Sequence, residues 1–182
     1  LSDEEREMDW SNVALNLAPV IPEEVMVERD TSVFTATGKN LLFEEMISLG
    51  AIYKIDDAIV ENAIECGTIF WTSEQFEALN GVPSLDNIGD GIKTEMIQYR
   101  GRSGQWVSNA PEIAAKDMAD TEYYFLGYVV HADGTVSYSG MMSYTIEQYI
   151  SNMADDAEMG ELVKALYYYE RAAKAALQGE EA

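Results

Sequence analysis

The 182-residue chain contains one histidine, His131, and one cysteine, Cys66. A Ser-His-Asp or Cys-His triad uses an imidazole as its base, so any such triad must include His131. His131 precedes Asp133-Gly134, which predicts a two-residue type I′ hairpin turn and therefore a solvent-facing imidazole. The segment GRSG (101–104) lacks the glycine spacing of a nucleophile elbow. The sequence predicts no hydrolytic triad, and it has neither a phosphate-binding glycine motif nor a Cys-x-x-Cys motif.

Paired carboxylates are the second kind of chemistry that the residue types allow. A glycoside hydrolase needs two acids roughly 5–10 Å apart across a cleft. Nothing in the spacing selects a pair among the candidates, which are Glu44, Glu45, Asp56, Asp57, Glu61 and Glu65. The sequence favours an exposed acidic face over a catalytic pair.

The loop LDNIGDG, residues 85–91, carries two acids at a spacing that suggests calcium. Asp86 and Asp90 match the first and fifth positions of an EF-hand loop. The third and twelfth positions would be Ile88 and Ile97, which have no side-chain oxygen. A turn built on aspartate and asparagine is the favoured interpretation. A Ca²⁺ site at Asp86 and Asp90 is the alternative, and no other cofactor is predicted.

Aromatic residues suggest a third chemistry, the stacking of sugar rings on flat side chains. Trp71 ends an apolar strand and is expected in the core. Trp106 follows the GRSG turn, where exposure is expected, and Tyr99 precedes the same turn. Trp106 and Tyr99 are therefore the candidate ligand-binding residues.

The charge and hydrophobicity of the chain exclude several functions. Acidic residues outnumber basic ones 33 to 11, a formal net charge of −22, which disfavours binding to nucleic acid and to anionic membrane surfaces. No run is long and apolar enough to span a bilayer, so no membrane insertion is expected. Cys66 lies in the apolar run AIECGTIFW, which predicts a buried, inert thiol.

Strands dominate the elements that must position these residues. Alternating and β-branched runs predict strands at 25–37, 64–71, 92–100, 105–108, 122–131 and 135–139, and one or two strands within 41–55 with Gly50 at a bulge or bend. In the strand 122–131, one face consists of Tyr124, Leu126, Tyr128 and Val130, and the other of Tyr123, Phe125 and Val129. A bulge is expected at Gly140. Thr72 and Gln75 have the spacing of a capping box and predict a short helix.

Two helices are predicted at the end of the chain. Thr145 opens a short one, and a longer one runs to about Leu177. The longer helix is expected to bury one stripe, formed by Leu162, Leu166, Tyr169, Ala173 and Leu177. The predicted fold is mainly β (α+β), a β-sandwich that is Ig-like in outline, with short edge helices. Residues 1–24 form an acidic lead-in and linker, 25–150 the sandwich, and 151–182 a C-terminal helix packed on it.

Three motifs in residues 114–150 are distinctive together: AAKDM-x-DT-x-Y, DGT-x-x-YS and SYT-x-x-x-Y. An LVKAL helix follows them. This combination resembles an uncharacterised β-rich module of secreted and cell-surface proteins from gut Firmicutes. The resemblance is close over residues 111–150 and looser from about Leu41 to Leu177. It implies an extracellular or cell-surface location on a Gram-positive bacterium and an accessory role without catalysis.

The predicted function is therefore a non-catalytic extracellular accessory or interaction module whose partner is a protein or a glycan. A carbohydrate-binding module that uses exposed aromatic residues is the first alternative. A glycoside hydrolase-like enzyme with carboxylates that the sequence does not single out is the second.

Overall fold

The computed structural model describes residues 31–43, 47–111 and 122–180. In these ranges the chain forms two four-stranded antiparallel sheets and a few helices, so the predicted mainly β, α+β sandwich is confirmed. The predicted lead-in, the candidate acids Glu44 and Glu45, and the AAKDM motif lie outside the described residues. No helix in the described ranges combines the length and hydrophobicity needed to cross a bilayer.

Each sheet contains four strands, and neighbours in each list below pair side by side. The first sheet has the order β1 (Thr35–Phe43), β2 (Ile47–Lys54), β6 (Gln105–Asn109) and β5 (Ile97–Gln98). The second sheet has the order β4 (Ile92–Glu95), β3 (Glu65–Thr72), β7 (Glu122–Val130) and β8 (Val136–Thr145).

The helices of the described ranges connect or follow these strands. They are α1 (Asp57–Asn62), α2 (Ser73–Glu77), α3 (Ile146–Met153) and α4 (Gly160–Glu180), together with a 3₁₀ turn at Tyr99–Gly101. The capping box of Thr72 and Gln75 is present, as predicted, and Thr145 opens α3 with a second one. Helix α1 was not predicted, because its six residues bury no side chain and leave no periodic pattern.

The main core fills the space between the sheets. Tyr53 and Phe34 contribute to it from one side, and Phe70, Phe125 and Val129 from the other. The Tyr53 hydroxyl lies 2.9 Å from that of Thr68, so a hydrogen bond crosses the core. Cys66 is half-buried and packs against this core, and burial together with Glu65 raises the pKa of its thiol.

A second core lies on the other face of β3 and β7. It consists of Ile69, Trp71, Phe76, Tyr124, Leu126 and Tyr128. Helix α2 covers it, with the Phe76 and Tyr124 rings stacked 4.2 Å apart. Trp71 is fully buried, as predicted, and its indole N–H donates to the Ile88 carbonyl at 2.7 Å. The two predicted faces of β7 are confirmed, because one faces each core.

Two predicted strands differ from the structure in their boundaries. The predicted strand 92–100 breaks at the buried Met96, so that β4 joins the second sheet and β5 the first. Tyr99 and Arg100 then belong to the 3₁₀ turn of the β5–β6 hairpin. The stretch 41–55 contains the end of β1 and all of β2. These two strands pair antiparallel.

The turn between β7 and β8 is not the predicted two-residue type I′ turn. His131 N–H donates to the Thr135 carbonyl at 2.8 Å, which encloses a three-residue loop. Gly134 has a positive φ of 83°, whereas Asp133 does not, and a type I′ turn requires both. Asp133 Oδ1 accepts the backbone N–H and the hydroxyl of Thr135 instead. The predicted bulge at Gly140 is confirmed by the register shift between β7 and β8.

The predicted buried stripe of the last helix is also wrong in phase. Leu162 is 46% exposed and Tyr169 is 60% exposed. Of the predicted stripe, Leu166 is buried. The other buried positions among the described side chains of α4 are Gly160, Val163, Tyr167 and Glu170, so the buried face is rotated by about one residue. The Arg171 guanidinium lies 4.3 Å from the Tyr167 ring and 3.7 Å from the Glu147 carboxylate of α3, which holds this orientation.

Candidate functional site

A cleft of about 550 Å³ opens on the first sheet. Its walls come from β1, β5, the 3₁₀ turn, β6, α3 and the segment between α3 and α4. Three side-chain amides and two tyrosines line it, together with two basic and two acidic residues. Its volume lies within the range of roughly 300–1,000 Å³ that is usual for small-ligand sites.

The floor of the cleft depends on Gly50. Asn40 of β1 and Asn109 of β6 stand opposite Gly50 in the two adjoining registers. A Cβ atom at position 50 would overlap Asn40 Oδ1 and lie 2.9 Å from Asn109 Oδ1. Both oxygens are buried without a hydrogen-bond partner among the described residues. The predicted bulge at Gly50 is wrong, since the pairing there is regular, and the glycine instead lets two amides converge.

The turn that carries Tyr99 and Arg100 forms another wall. Arg100 adopts a left-handed conformation, with φ 50° and ψ 33°. That conformation costs a non-glycine residue roughly 1–2 kcal/mol. The guanidinium carbon lies 5.2 Å from the centre of the Tyr99 ring, within the range of a cation–π contact. Backbone strain of this kind concentrates at ligand sites, which makes this turn a candidate contact surface.

Asp57 ties this hairpin to α1. Its Oδ1 accepts the Gly104 N–H at 2.9 Å and the Trp106 indole N–H at 3.0 Å, and its Oδ2 accepts the Ser103 hydroxyl at 2.5 Å. The bonds from Ser103 and Gly104 lower the pKa of Asp57. Asp57 therefore stays ionised as a structural anchor, and the arrangement does not suit it to donate a proton.

The two predicted ligand-binding aromatics have different surroundings. Tyr99 lines the cleft and is half-buried. Trp106 packs against the main core, is half-buried, and does not line the cleft. Trp106 therefore offers no stacking platform at the cleft, and its indole N–H is bonded to Asp57.

The other candidate acids have local roles. Asp56 caps α1 by accepting the Ala58 N–H at 2.9 Å. Glu65 Oε1 accepts the Tyr128 hydroxyl at 2.6 Å and the Lys93 ammonium at 2.9 Å, and these two bonds lower its pKa. Glu61 is exposed on α1. None of these acids lines the cleft.

The acids that do line the cleft are Asp156 and Glu158, which the sequence did not single out. Asp156 Oδ1 accepts the N–H groups of Glu158 and Met159, both at 2.9 Å, and these bonds lower its pKa. Asp156 is thus committed as an ionised cap just before α4. Glu158 is exposed beside it.

His131 and Ser137 face each other across the β7–β8 hairpin, with His131 Nε2 2.8 Å from Ser137 Oγ. His131 is half-buried rather than solvent-facing. The Asp133 carboxylate is engaged by Thr135, and neither His131 nor Ser137 lines the cleft. Ser137 was missed because its approach to His131 follows from hairpin register, which residue type does not reveal.

Asp86 and Asp90, the predicted calcium ligands, lie exposed in two consecutive tight turns, Ser84–Asn87 and Ile88–Gly91. Asn87 organises this loop by donating to the carbonyls of Asn80 and Val82 at 3.0 and 3.1 Å. Across the described part of the chain, no three His, Cys, Asp or Glu side chains group so as to hold a metal ion. A calcium site at Asp86 and Asp90 stays a prediction.

No protein-family model matches the sequence, and no curated protein matches it significantly. Among solved structures, the chain is similar to purple acid phosphatase PPD1 from yellow lupin (Lupinus luteus) seeds, at 13% identity and a TM-score of 0.37. The match covers 61% of this chain and 19% of the phosphatase chain, so this chain spans only a small part of that protein.

Proposed function

We propose that the protein is a non-catalytic binding module, an accessory or interaction module of an extracellular protein, that contacts its partner through the cleft. One observation carries this proposal. The side-chain amides of Asn40, Gln98 and Asn109 and the Tyr99 hydroxyl line one cleft, and none is hydrogen-bonded to another described residue. Polar groups that the fold does not use, gathered in one concavity, favour a ligand.

The charged groups of the cleft support binding over catalysis. Asp156 serves as an ionised cap of the backbone. Glu158 therefore has no second carboxyl group among the described cleft residues with which to act. The Lys39 side chain is also engaged within the fold, because its ammonium donates to the Ser143 carbonyl at 3.4 Å and lies 3.9 Å from the centre of the Tyr144 ring. A glycoside hydrolase needs two carboxyl groups that act together.

The extracellular part of the proposal rests on the sequence resemblance to surface modules of gut Firmicutes. The formal charge of −22 agrees with it only in disfavouring nucleic-acid partners.

A hydrogen-exchange experiment on the full chain tests the proposal. The probes are soluble plant and mucin polysaccharides and a displayed peptide library. We expect protection at Ile97–Gly101 and around Asn40 and Asn109, with no turnover of chromogenic glycosides. Turnover that disappears in Glu158→Gln but persists in the matched control Glu61→Gln would refute a non-catalytic role. Protection confined to other surfaces would refute the cleft.

A further inference from the structure

We infer that the ligand of the cleft is an uncharged, polyhydroxylated chain, that is, a neutral glycan. This inference rests on the proposed function and names the ligand class of the same site. Three features support it: the balance of charge in the cleft, the chemistry of its amides, and the place of those amides over an interior strand.

The uncommitted charges of the cleft cancel. Lys39 and Asp156 are held by hydrogen bonds within the fold, which leaves Arg100 and Glu158, one of each sign. The chain as a whole carries −22, so it repels anionic polymers over distances comparable with the Debye length. A neutral ligand meets no net charge in the cleft and is not subject to this repulsion.

The amides suit a ligand that accepts hydrogen bonds. Each amide has two N–H donors and one carbonyl acceptor, and the hydroxyl and ring oxygens of a sugar can accept. The oxygens of Asn40 and Asn109 are buried against Gly50. The N–H groups are then the part of each amide that remains for a ligand, and they fit hydroxyl and ring oxygens. The Tyr99 ring adds an apolar face beside them, on which a sugar ring can stack.

The position of the amides favours recognition through side chains. Extended peptides gain much of their affinity by adding a strand at a sheet edge, where backbone groups are unpaired. The Asn40–Gly50–Asn109 row lies over β2, which pairs with β1 on one side and β6 on the other. The amide row therefore presents side chains to a ligand, while the edge strands β1 and β5 border the cleft on either side of it.

Affinity electrophoresis and calorimetry on the full chain test the inference. The probes are neutral glucans, mannans and galactans, with polygalacturonate as the anionic comparison. We expect binding to at least one neutral polysaccharide. Asn109→Ala and Tyr99→Ala should each weaken it by about tenfold, the loss expected for one hydrogen-bonded or stacked group.

Matched controls come from outside the cleft. Asn80→Ala removes an exposed amide and Tyr169→Ala an exposed ring, and both should bind like the wild type. Thermal unfolding of all four variants identifies any that lose binding through misfolding. Gln98→Ala is a further cleft variant on a residue whose side chain is exposed.

Four results would overturn the inference. They are binding to polygalacturonate alone, absence of binding to every neutral glycan, a displayed peptide that protects Ile97–Gly101 in place of any glycan, and glycan binding that the cleft variants leave intact. The peptide result would leave the proposed function standing, whereas the last result would remove the cleft from both. Turnover of a bound neutral glycan that Glu158→Gln abolishes would support the ligand class and refute the non-catalytic role.

Discussion

Replacing Gly127 with alanine would place a methyl group inside the main core, between two aromatic rings. Gly127 lies in β7 opposite Thr68 of β3, on the face that the first sheet covers. An alanine Cβ would lie 2.6 Å from Tyr53 Cε1 and 3.0 Å from Phe34 Cε2. Carbon atoms pack best at roughly 3.5–4.0 Å, so at least one ring must move by about 1 Å.

The expected loss of stability is about 2 kcal/mol. Overpacking a core costs roughly 1–3 kcal/mol. The upper half of that range applies because Tyr53 is fully buried and its hydroxyl is bonded to Thr68, which restrains the ring. Alanine offsets about 0.5–1 kcal/mol of this overpacking cost, because it loses less backbone entropy than glycine on folding. In a domain of this size, 2 kcal/mol corresponds to a fall in Tm of roughly 4–8 °C.

Urea denaturation and thermal unfolding measure this loss, with Gly38→Ala as the matched control. A Cβ at Gly38 in β1 would meet the Ile52 side chain at 3.7 Å, an ordinary contact, and φ is not positive there. We expect Gly38→Ala to match the wild type or to exceed it slightly. The double variant Gly127→Ala/Tyr53→Leu should lose less than the sum of its single variants, because removing the ring removes the overlap.

If Gly127→Ala unfolds at the same urea concentration as Gly38→Ala, the Tyr53 ring does not lie over β7. The same conclusion would follow if the double variant lost as much stability as its two single variants together. Either result would refute the described packing of the two sheets.

Three further predictions concern the elements around the cleft. The pKa of Asp57 is lowered in the folded state, so the stability it contributes is present above its ordinary value near 4 and is lost as the pH falls through the lowered value. The stability advantage of the wild type over Asp57→Asn in urea should thus shrink between about pH 5 and pH 3, and a pH-independent difference would contradict the anchor. Arg100→Gly should raise the free energy of unfolding by about 1 kcal/mol by relieving the left-handed strain; an unchanged or lower value in urea titrations would argue against that strain. Thr145→Ala should lower it by about 1 kcal/mol, because Thr145 caps α3, and Thr135→Ser serves as an exposed control that keeps its hydroxyl; equal stability of these two variants would exclude the cap.

Strand β7 illustrates what could be predicted from the sequence. Alternation over Glu122–His131 is a local signal, and it places Tyr124 and Tyr123 on opposite faces whatever the neighbouring strands are. Both faces are apolar, which correctly predicts an interior strand covered on two sides. The cap at Thr72 was predicted for the same reason, since its three-residue spacing lies within one turn.

The last helix illustrates the limit of that reasoning. Two overlapping stripes exist on α4, one through Leu162 and one through Val163, and their periodicity is the same. The packing of Val163, Leu166 and Tyr167 into the main core decides between them. Hydrophobicity along one segment cannot include a partner on another helix, so the phase was predicted wrongly.

The candidate site shows the same division. Tyr99 could be proposed from its residue type, whereas the roles of Asn40, Gly50 and Asn109 depend on two strand registers that join residues about ten and sixty positions apart. Trp106 was expected to be exposed because a turn precedes it, but it packs against the main core and its indole N–H donates to Asp57.

The sequence by itself determined the mainly β class, the faces of the strands, the helix caps and the acidic surface, because each depends on interactions between near neighbours or on composition. Only the tertiary structure decided which polar groups form hydrogen bonds within the fold and which remain for a ligand. Three acids illustrate this division: Asp57, Asp156 and Glu65. They differ in the group that donates a hydrogen bond to each, which is respectively the Gly104 N–H, the Met159 N–H and the Tyr128 hydroxyl. Those partners are set by chain packing, and the free energy of each bond depends on burial and distance, which residue type alone does not specify.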